Sequence, residues 1–255
     1  MLGTPISIDR STMTNDQIVA LLASLGACFS AIATFLTVRQ IAKQREASYR
    51  PELAISRVFL ECTKDPIAPG PIPTLWIAKS EDGKTDSLSR TFSLSLRNVG
   101  LGTAKSVSVS WSFPFEGITK QVNELAQRTL SAAYFTFEKE SLSLNSEDFG
   151  KTTSMWMNQK QETLDYVLPA AVHHEPVMLT LPHAYTQIVS SLLYFSARQK
   201  DRHSFPEIPP LIAHMEFSDI GGAKHGATFS IQFQLSAIGG AGEFISGYIE
   251  SRKST

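Results

Sequence analysis

The chain has 255 residues, of which 18% are charged, and a formal net charge of −1 at pH 7. Because this balance creates no overall basic field, the composition argues against sequence-specific nucleic-acid binding. The two cysteines, Cys28 and Cys62, supply no disulfide framework of the kind that small secreted proteins use, which favours a reducing compartment.

The first predicted element is residues 17–38, an apolar segment without a charged side chain. As a helix that rises about 1.5 Å per residue, it spans roughly 33 Å, enough for a hydrocarbon core of ~30 Å. A buried core helix usually has polar interruptions, and a cleavable signal peptide needs a basic start and a cleavage site. Asp9 and Asp16 precede this segment and Arg39 follows it, so the sequence predicts a retained single transmembrane helix.

Four basic side chains follow the apolar segment. They are Arg39, Lys43, Arg45 and Arg50. They belong to residues 39–50, which we expect to form a basic juxtamembrane helix or linker. Since Lys and Arg remain on the cytoplasmic side, residues 1–16 are expected outside as a short tail and residues 51–255 inside. A second interpretation of the four cations is recognition of anionic lipid or of a nucleic-acid-bearing partner.

One face of the predicted helix carries small side chains at intervals of four residues. This small-residue face consists of Ala23, Gly26, Ala27, Ser30 and Ala31. Such spacing lets two helices approach closely in lipid, so it indicates self-association through helix–helix contact. The alternative is that these residues make no contact, as in many single-span anchors. The distinction matters because one helix cannot form a pore, whereas several helices could.

From Pro51 onward the hydrophobic pattern becomes typical of strands. Residues 51–60 predict a strand that is buried on both faces. Apolar side chains then alternate with polar ones at 92–97 and again at 106–111. This period of two predicts two half-buried strands, and the connection between them is long enough to cross from one sheet to another.

Further elements follow along the chain. Strands are predicted at 75–78, 133–137, 142–144, 164–168, 176–181, 211–217 and 228–238, helices at 118–128 and 182–198, and turns at 80–87 and 219–226. The glycine-rich residues 239–242 are expected to loosen the end of the chain before a polar tail. Together these elements predict a mainly β fold, with a single N-terminal transmembrane helix followed by a cytoplasmic antiparallel β-sandwich-like domain with two short helices.

No motif typical of catalysis is present in the sequence. His173, His174 and His183 resemble a set of metal ligands, but adjacent strand residues point to opposite faces and no pair has the i, i+4 spacing of a zinc hydrolase. A loop before a strand explains His173 and His174 better. Cys62, without a neighbouring histidine, fits a small buried hydrophobe. We therefore expect no enzymatic activity, no cofactor and no metal site.

Three short stretches carry a resemblance to known proteins. They are residues 49–53 (YRPEL), 97–104 (RNVGLGTA) and 219–222 (DIGG). The pattern resembles small bacterial inner-membrane proteins with one or two N-terminal spans and a cytoplasmic β-rich domain. Among these, the chain is most similar to the transmembrane effectors encoded beside retron reverse transcriptases in anti-phage defence. A two-span effector would differ from this chain, in which one span is predicted.

The resemblance implies a toxin of the inner membrane that a complex of reverse transcriptase and RNA-linked DNA holds inactive. Its release would damage the membrane and kill the infected cell, which is abortive infection. The membrane helix would then be the damaging part, and the β domain would bind the inhibitory complex. Two alternatives are a non-toxic membrane-tethered module that recruits a protein partner, and a membrane-bound hydrolase that uses the three histidines.

Overall fold

The structure, a computed structural model, describes residues 14–65, 70–79, 91–129, 131–146, 150–199 and 204–254, without the side chains of residues 45–48. The turn expected at 80–87 and most of the tail expected at 1–16 lie outside the described residues. Contacts divide the chain into two units, one that ends at Ser48 and one that begins at Tyr49.

The first unit contains one long helix, α1 (Asn15–Ser48). Within Asn15–Gln44 the mean hydropathy reaches 2.2, and the apolar stretch is 0% buried by the rest of the chain. Among the described residues, α1 is the one helix that is long and apolar enough to cross a membrane. The linker expected at 39–50 continues this helix as far as Ser48.

Strands dominate the second unit. They are β1 (Leu53–Ile55), β2 (Val58–Thr63), β3 (Leu75–Ala78), β4 (Ser93–Asn98), β5 (Ala104–Ser112), β6 (Tyr134–Glu138), β7 (Ser141–Ser146), β8 (Gly150–Met155), β9 (Gln161–Val167), β10 (Val177–Thr180), β11 (Leu211–Ser218), β12 (Lys224–Gly239) and β13 (Phe244–Ser254). The helices are α2 (Phe115–Arg128) and α3 (His183–Ala197). The helices and most of the strands match the predicted elements within a few residues.

The strands form three antiparallel sheets. The largest has the order β3-β2-β13-β12-β11-β5-β9, and two three-stranded sheets have the orders β1-β4-β10 and β6-β7-β8. Side chains alternate between core and surface along β4 and β11, as expected for half-buried strands. The connection from β4 to β5 crosses from a small sheet to the large one, as predicted. The prediction of a mainly β, antiparallel, sandwich-like domain behind one apolar helix is confirmed.

Helix α3 fills the interior of the domain. The predicted apolar face, with Ile188 and Leu192, is fully buried, and the opposite side is buried as well, including Ser190 and Ser191. Ser191 Oγ donates to the carbonyl four residues earlier over 2.7 Å, which satisfies the hydroxyl inside the core. Aromatic side chains of β3 and β6 pack against α3. The small serines therefore let the helix lie close to its neighbours on every side.

The prediction of one strand at 51–60, buried on both faces, is wrong. The segment divides into β1 and β2, which lie in different sheets, and each strand alternates in burial. The chain changes sheets at residues 56–57, so the buried positions shift from Leu53 and Ile55 to Leu60 and Cys62. The buried residues are odd-numbered in β1 and even-numbered in β2. Within one continuous strand, the same sequence would place apolar residues on both faces, which explains the prediction.

Two strands have no counterpart among the predicted elements. β8 lies at the edge of its sheet and is mostly polar, so it lacks an apolar alternation. β13 follows residues 239–242, which do not loosen the end of the chain but join β12 to β13 in a long hairpin. Gly240 and Gly242 have φ values of 55° and 92°, which glycine adopts without strain in a tight turn. Residues 251–254 of the expected polar tail therefore belong to a strand.

Two buried tryptophans allow a matched test of core packing. Trp76 Nε1 donates to Ser190 Oγ over 2.8 Å, whereas the buried Nε1 of Trp111 has no partner among the described residues. Since a buried group that loses its partner costs about 1–3 kcal/mol, Trp76→Phe should lower the free energy of unfolding by more than Trp111→Phe. Urea unfolding of the full-length protein in detergent micelles, followed by circular dichroism, measures the difference. Equal losses would show that the Trp76 hydrogen bond contributes nothing.

Candidate membrane interface and domain junction

The surface of α1 is apolar all round, but its faces differ in side-chain size. At about 100° per residue, the small-residue face lies opposite a row of large side chains. These include Leu21, Leu25 and Ile32, which are 49%, 45% and 56% exposed. At Gly26 a Cβ would meet nothing within 4 Å, so this face is open. One side of the helix therefore carries small side chains, and the opposite side, which we call the ridged side, carries large ones.

Three hydroxyls of α1 are hydrogen-bonded within the helix itself. Ser24 Oγ donates to the carbonyl three residues earlier over 2.9 Å. Thr34 and Thr37 each donate to the carbonyl four residues earlier over 2.8 Å. Because a hydroxyl that is paired in this way needs no water, these side chains are compatible with a lipid environment.

The predicted basic residues lie at the C-terminal end of α1 and just beyond it. Arg39 and Lys43 are exposed on the helix, and Arg50 is exposed at the start of the domain. Arg45 also falls on the helix, at a position whose side chain is not described. Within the described part of the chain, Arg39, Lys43 and Arg50 form no ion pair.

The domain begins at a junction that the carboxamide of Asn98 holds together. Its Oδ1 accepts hydrogen bonds from the backbone N–H groups of Glu52 (3.0 Å) and Gly100 (3.1 Å). Its Nδ2 donates to the backbone carbonyls of Gly102 (2.6 Å) and Val167 (3.1 Å). Asn98 is 1% exposed, so water cannot replace these four bonds.

Backbone hydrogen bonds join the same three segments. Val99 N–H donates to the carbonyl of Glu52 over 2.8 Å, and Ala170 N–H donates to that of Asn98 over 2.8 Å. Hydrogen bonds around Asn98 therefore join three segments. They are the entering chain (residues 49–53), the crossing loop after β4 (residues 97–104) and the turn after β9 (residues 167–173). The sequence pattern alone does not predict this role of Asn98. An asparagine at the end of an alternating strand, followed by a Gly-x-Gly run, is the signal that could have indicated it.

Two glycines let the crossing loop lie directly against the entering chain. A Cβ at Gly100 would overlap the carbonyl oxygen of Arg50, and a Cβ at Gly102 would overlap that of Tyr49. A larger residue at either position would force the two segments apart. Residues 49–53 and 97–104, which carry the resemblance, therefore form one packed unit.

The third stretch of the resemblance lies at the same end of the domain. Residues 219–222 belong to the predicted hairpin turn between β11 and β12, in which Gly222 N–H donates to the carbonyl of Asp219 over 3.1 Å. Ser218, the last residue of β11, pairs with Lys105 near the start of β5. We call this part of the domain the entry end; it comprises residues 49–53, 97–104, 167–173 and 219–223.

The three histidines considered as metal ligands do not form a metal site. Across the described ranges, no group of three or more His, Cys, Asp or Glu side chains could hold a metal ion. His173 and His174 are exposed in the turn before β10, in agreement with the loop prediction. His183, by contrast, is the first residue of α3.

His183 belongs to a polar cluster between β8 and α3. Ser154 Oγ lies 2.8 Å from His183 Nδ1 and donates its hydrogen to Gln187 Oε1. Because a hydroxyl has one hydrogen, His183 Nδ1 must donate to Ser154 rather than accept from it. Ser154 is 5% exposed. The arrangement fastens an edge strand to the central helix.

No protein-family profile, curated protein or solved structure matches the chain. The class of protein is therefore defined by the structure itself. It is an antiparallel β domain that follows one helix long and apolar enough to cross a membrane. The features that bear on function are α1 and the junction that follows it.

The hydrogen bonds of Asn98 predict a large effect on stability. Asn98→Ala removes the hydrogen-bond partner of four backbone groups, in two buried and two partly buried bonds, and should cost about 3 kcal/mol in the free energy of unfolding. Asn123→Ala is the matched control, since Asn123 bonds only the N–H and C=O of Phe135, each over 2.8 Å, and should cost about half as much. Urea unfolding in detergent micelles compares the two. A loss for Asn98→Ala no larger than that for Asn123→Ala would contradict the central role of Asn98.

The environment of His183, at the start of α3, predicts a dependence of stability on pH. Burial lowers the pKa of His183, and the charge of Asp65 only partly offsets this. The unfolded state, with a pKa of ~6.5, then binds a proton more readily than the folded state, so stability should fall as the pH drops below about 6.5.

A pair of histidine variants tests this dependence. His183→Asn keeps a donor beside Ser154 but cannot titrate, so it should reduce the loss of stability between about pH 7.5 and 5.5. His214→Asn, at an exposed position on β11, should leave the loss unchanged. Thermal unfolding at both pH values is the measurement, and a loss in His183→Asn as large as in the parent protein would refute the assignment.

Proposed function

We propose that the chain is an inner-membrane effector of a bacterial anti-phage defence system. A complex of reverse transcriptase and RNA-linked DNA keeps it inactive, and its release causes membrane damage and abortive infection. The observation that carries the proposal is α1, an apolar helix that no other part of the chain covers. The resemblance of residues 49–53, 97–104 and 219–222 supplies the role in defence.

The exposed surface of α1 requires a non-aqueous environment. Its large exposed side chains are Ile18, Val19, Leu21, Leu22, Leu25, Phe29, Ile32, Phe35, Leu36, Val38 and Ile41. Burial of each such side chain contributes about 1.5–3 kcal/mol, so their transfer from water to lipid is favourable by on the order of 20 kcal/mol. Soluble monomers rarely expose a continuous apolar patch of this size, which supports a spanning helix.

The proposed orientation is single-pass, with the N terminus outside and the β domain in the cytoplasm. Arg10 is the one basic residue among residues 1–16, whereas Arg39, Lys43, Arg45 and Arg50 follow the apolar segment. Basic residues that flank a span remain in the cytoplasm. This asymmetry supports a cytoplasmic domain that can meet a cytoplasmic inhibitor.

Membrane damage in this proposal comes from several α1 helices together. A single helix encloses no channel, so the anchor alone is harmless. The small-residue face allows neighbouring helices to approach closely, while the ridged side remains in contact with lipid. Self-association of α1 would thus damage the membrane without any catalytic step. The residues that would make the contact are Ala23, Gly26, Ala27, Ser30 and Ala31.

The β domain is the proposed regulatory part, which binds the inhibitory complex. A second candidate function is a non-toxic, membrane-tethered module that recruits a protein partner. The three sheets packed around α3 favour this second candidate, because they form a rigid platform behind a single span. Capture of a partner by residues 51–255, without a membrane phenotype for the full chain, would select it.

The proposal predicts toxicity that depends on α1. Expression of the full chain alone should depolarise the inner membrane and stop growth, and deletion of residues 17–38 should abolish both effects. Co-expression of the reverse transcriptase with its RNA-linked DNA should restore growth. A membrane-potential dye in growing cells provides the readout. Harmless expression of a membrane-inserted chain, or toxicity that survives the deletion, would refute the proposal.

Two neighbouring substitutions test the small-residue face within the same experiment. Ala27→Leu adds bulk on that face, whereas Cys28→Leu adds bulk at the next position, which lies outside it. Ala27→Leu should weaken depolarisation and chemical cross-linking of the chain in membranes, and Cys28→Leu should leave both intact. Equal behaviour of the two variants would mean that the face makes no helix–helix contact.

A further inference from the structure

We propose that the entry end of the β domain is a lipid-docking surface, which places apolar loop tips in the headgroup region of the bilayer that α1 spans. This inference rests on the membrane-spanning helix of the proposed function. It depends neither on toxicity nor on an inhibitory partner. The occupant is the bilayer surface itself, and the argument for it combines side-chain exposure, loop rigidity, chain length and charge.

The most exposed large apolar side chains of the described domain all lie at the entry end. They are Tyr49 (63%), Val99 (60%), Leu101 (60%), Val172 (72%) and Ile220 (68%). Tyr166, the next at 59%, pairs with Lys105 at the same end. At the opposite end of the large sheet, Phe244 is 41% exposed. Single apolar residues scattered over a surface need no explanation, but a group at one end marks an interaction site.

The exposure of these tips is built into the fold. Gly100 and Gly102 lie against the backbone of the entering chain, whereas Leu101 between them and Val99 before them are each 60% exposed. Val172 sits in a turn in which its N–H donates to the carbonyl of Pro169 over 2.9 Å. Because the loops are fastened by Asn98 and by their own turns, the apolar tips cannot fold back onto the core.

The short connection between α1 and the β domain favours the bilayer as the binding partner of the entry end. Val38 ends the apolar segment, and about 16 Å of helix separates it from Tyr49. The headgroup layer takes up roughly 5–8 Å of that length, so Tyr49 stays within ~10 Å of the headgroups. Tyr49 is itself one of the exposed tips. A tether this short gives an effective concentration of mM order, at which a few inserted side chains suffice for docking.

The charges at this end fit an anionic surface. Three exposed cations that form no ion pair with a described residue lie at or next to the entry end, namely Arg50, Lys105 and Lys224. Two exposed carboxylates, Asp165 and Glu175, lie near it as well. Each of the two carboxylates within the entry end has a side-chain partner. Glu52 pairs with Lys253, and Asp219 lies 3.0 Å from His225. Apolar tips surrounded by cations are typical of surfaces that bind bilayers with anionic lipids.

Fluorescent probes on the full-length chain test the docking. In a Cys28→Ala background, the variants Leu101→Cys and Ile220→Cys are each labelled at the new thiol with environment-sensitive nitrobenzoxadiazole, which places the probe at the entry end. Phe244→Cys is the matched control at the opposite end, and Phe29→Cys reports insertion of α1. Cys62 is 0% exposed, and burial raises the pKa of its thiol, so it stays unlabelled. The protein is reconstituted in phosphatidylethanolamine–phosphatidylglycerol vesicles that contain nitroxide-labelled acyl chains.

The expected result is quenching by the lipid nitroxide at positions 101 and 220 that is several-fold stronger than at position 244. Strong quenching at position 29 with equal, weak quenching at positions 101, 220 and 244 would overturn docking while α1 remains a spanning helix. Loss of quenching at position 29 would remove the basis of both proposals. The probes at 101 and 220 could also be shielded from aqueous iodide without being quenched by the lipid nitroxide. That result would refute docking to the bilayer and would indicate a protein partner.

Discussion

The carboxamide of Asn98 is the contact on which the construction of the β domain depends. β4 ends at this residue, where it pairs with Leu53 of β1, and β5 begins only at Ala104. The side chain of Asn98, which is 1% exposed, provides four hydrogen bonds, two of them to Glu52 and Val167, which are distant in sequence. One side chain thus connects the entering chain, the small sheet and the large sheet.

The same loop has two consequences for the molecule. Its glycines face the entering chain and permit close packing, while Val99 and Leu101 remain exposed. Tight assembly of the junction and the exposed apolar side chains of the entry end therefore have one structural origin. Residues 49–53, 97–104 and 219–222 meet at one end of the domain although more than half of the chain separates the first stretch from the last.

The candidate site was only partly predictable from the sequence. The apolar helix, its small-residue face and the basic residues Arg39, Lys43 and Arg50 are local patterns, and they lie on α1 or directly after it. The part played by Asn98 depends on Glu52 and Val167, which local periodicity cannot connect to it. The histidines illustrate the opposite case, because His183 contacts Ser154, which donates to Gln187, and no described group of three such side chains could hold a metal ion.

The sequence by itself determined the membrane-length helix, most half-buried strands, the two domain helices and the mainly β class, because periods of 3.6 and 2.0 residues are properties of a single segment. Tertiary structure decided the division of residues 51–60 between two sheets, the edge strand β8 and the hairpin that creates β13. Those features depend on which strand lies alongside, and pairing with a distant backbone leaves no local pattern of apolar residues.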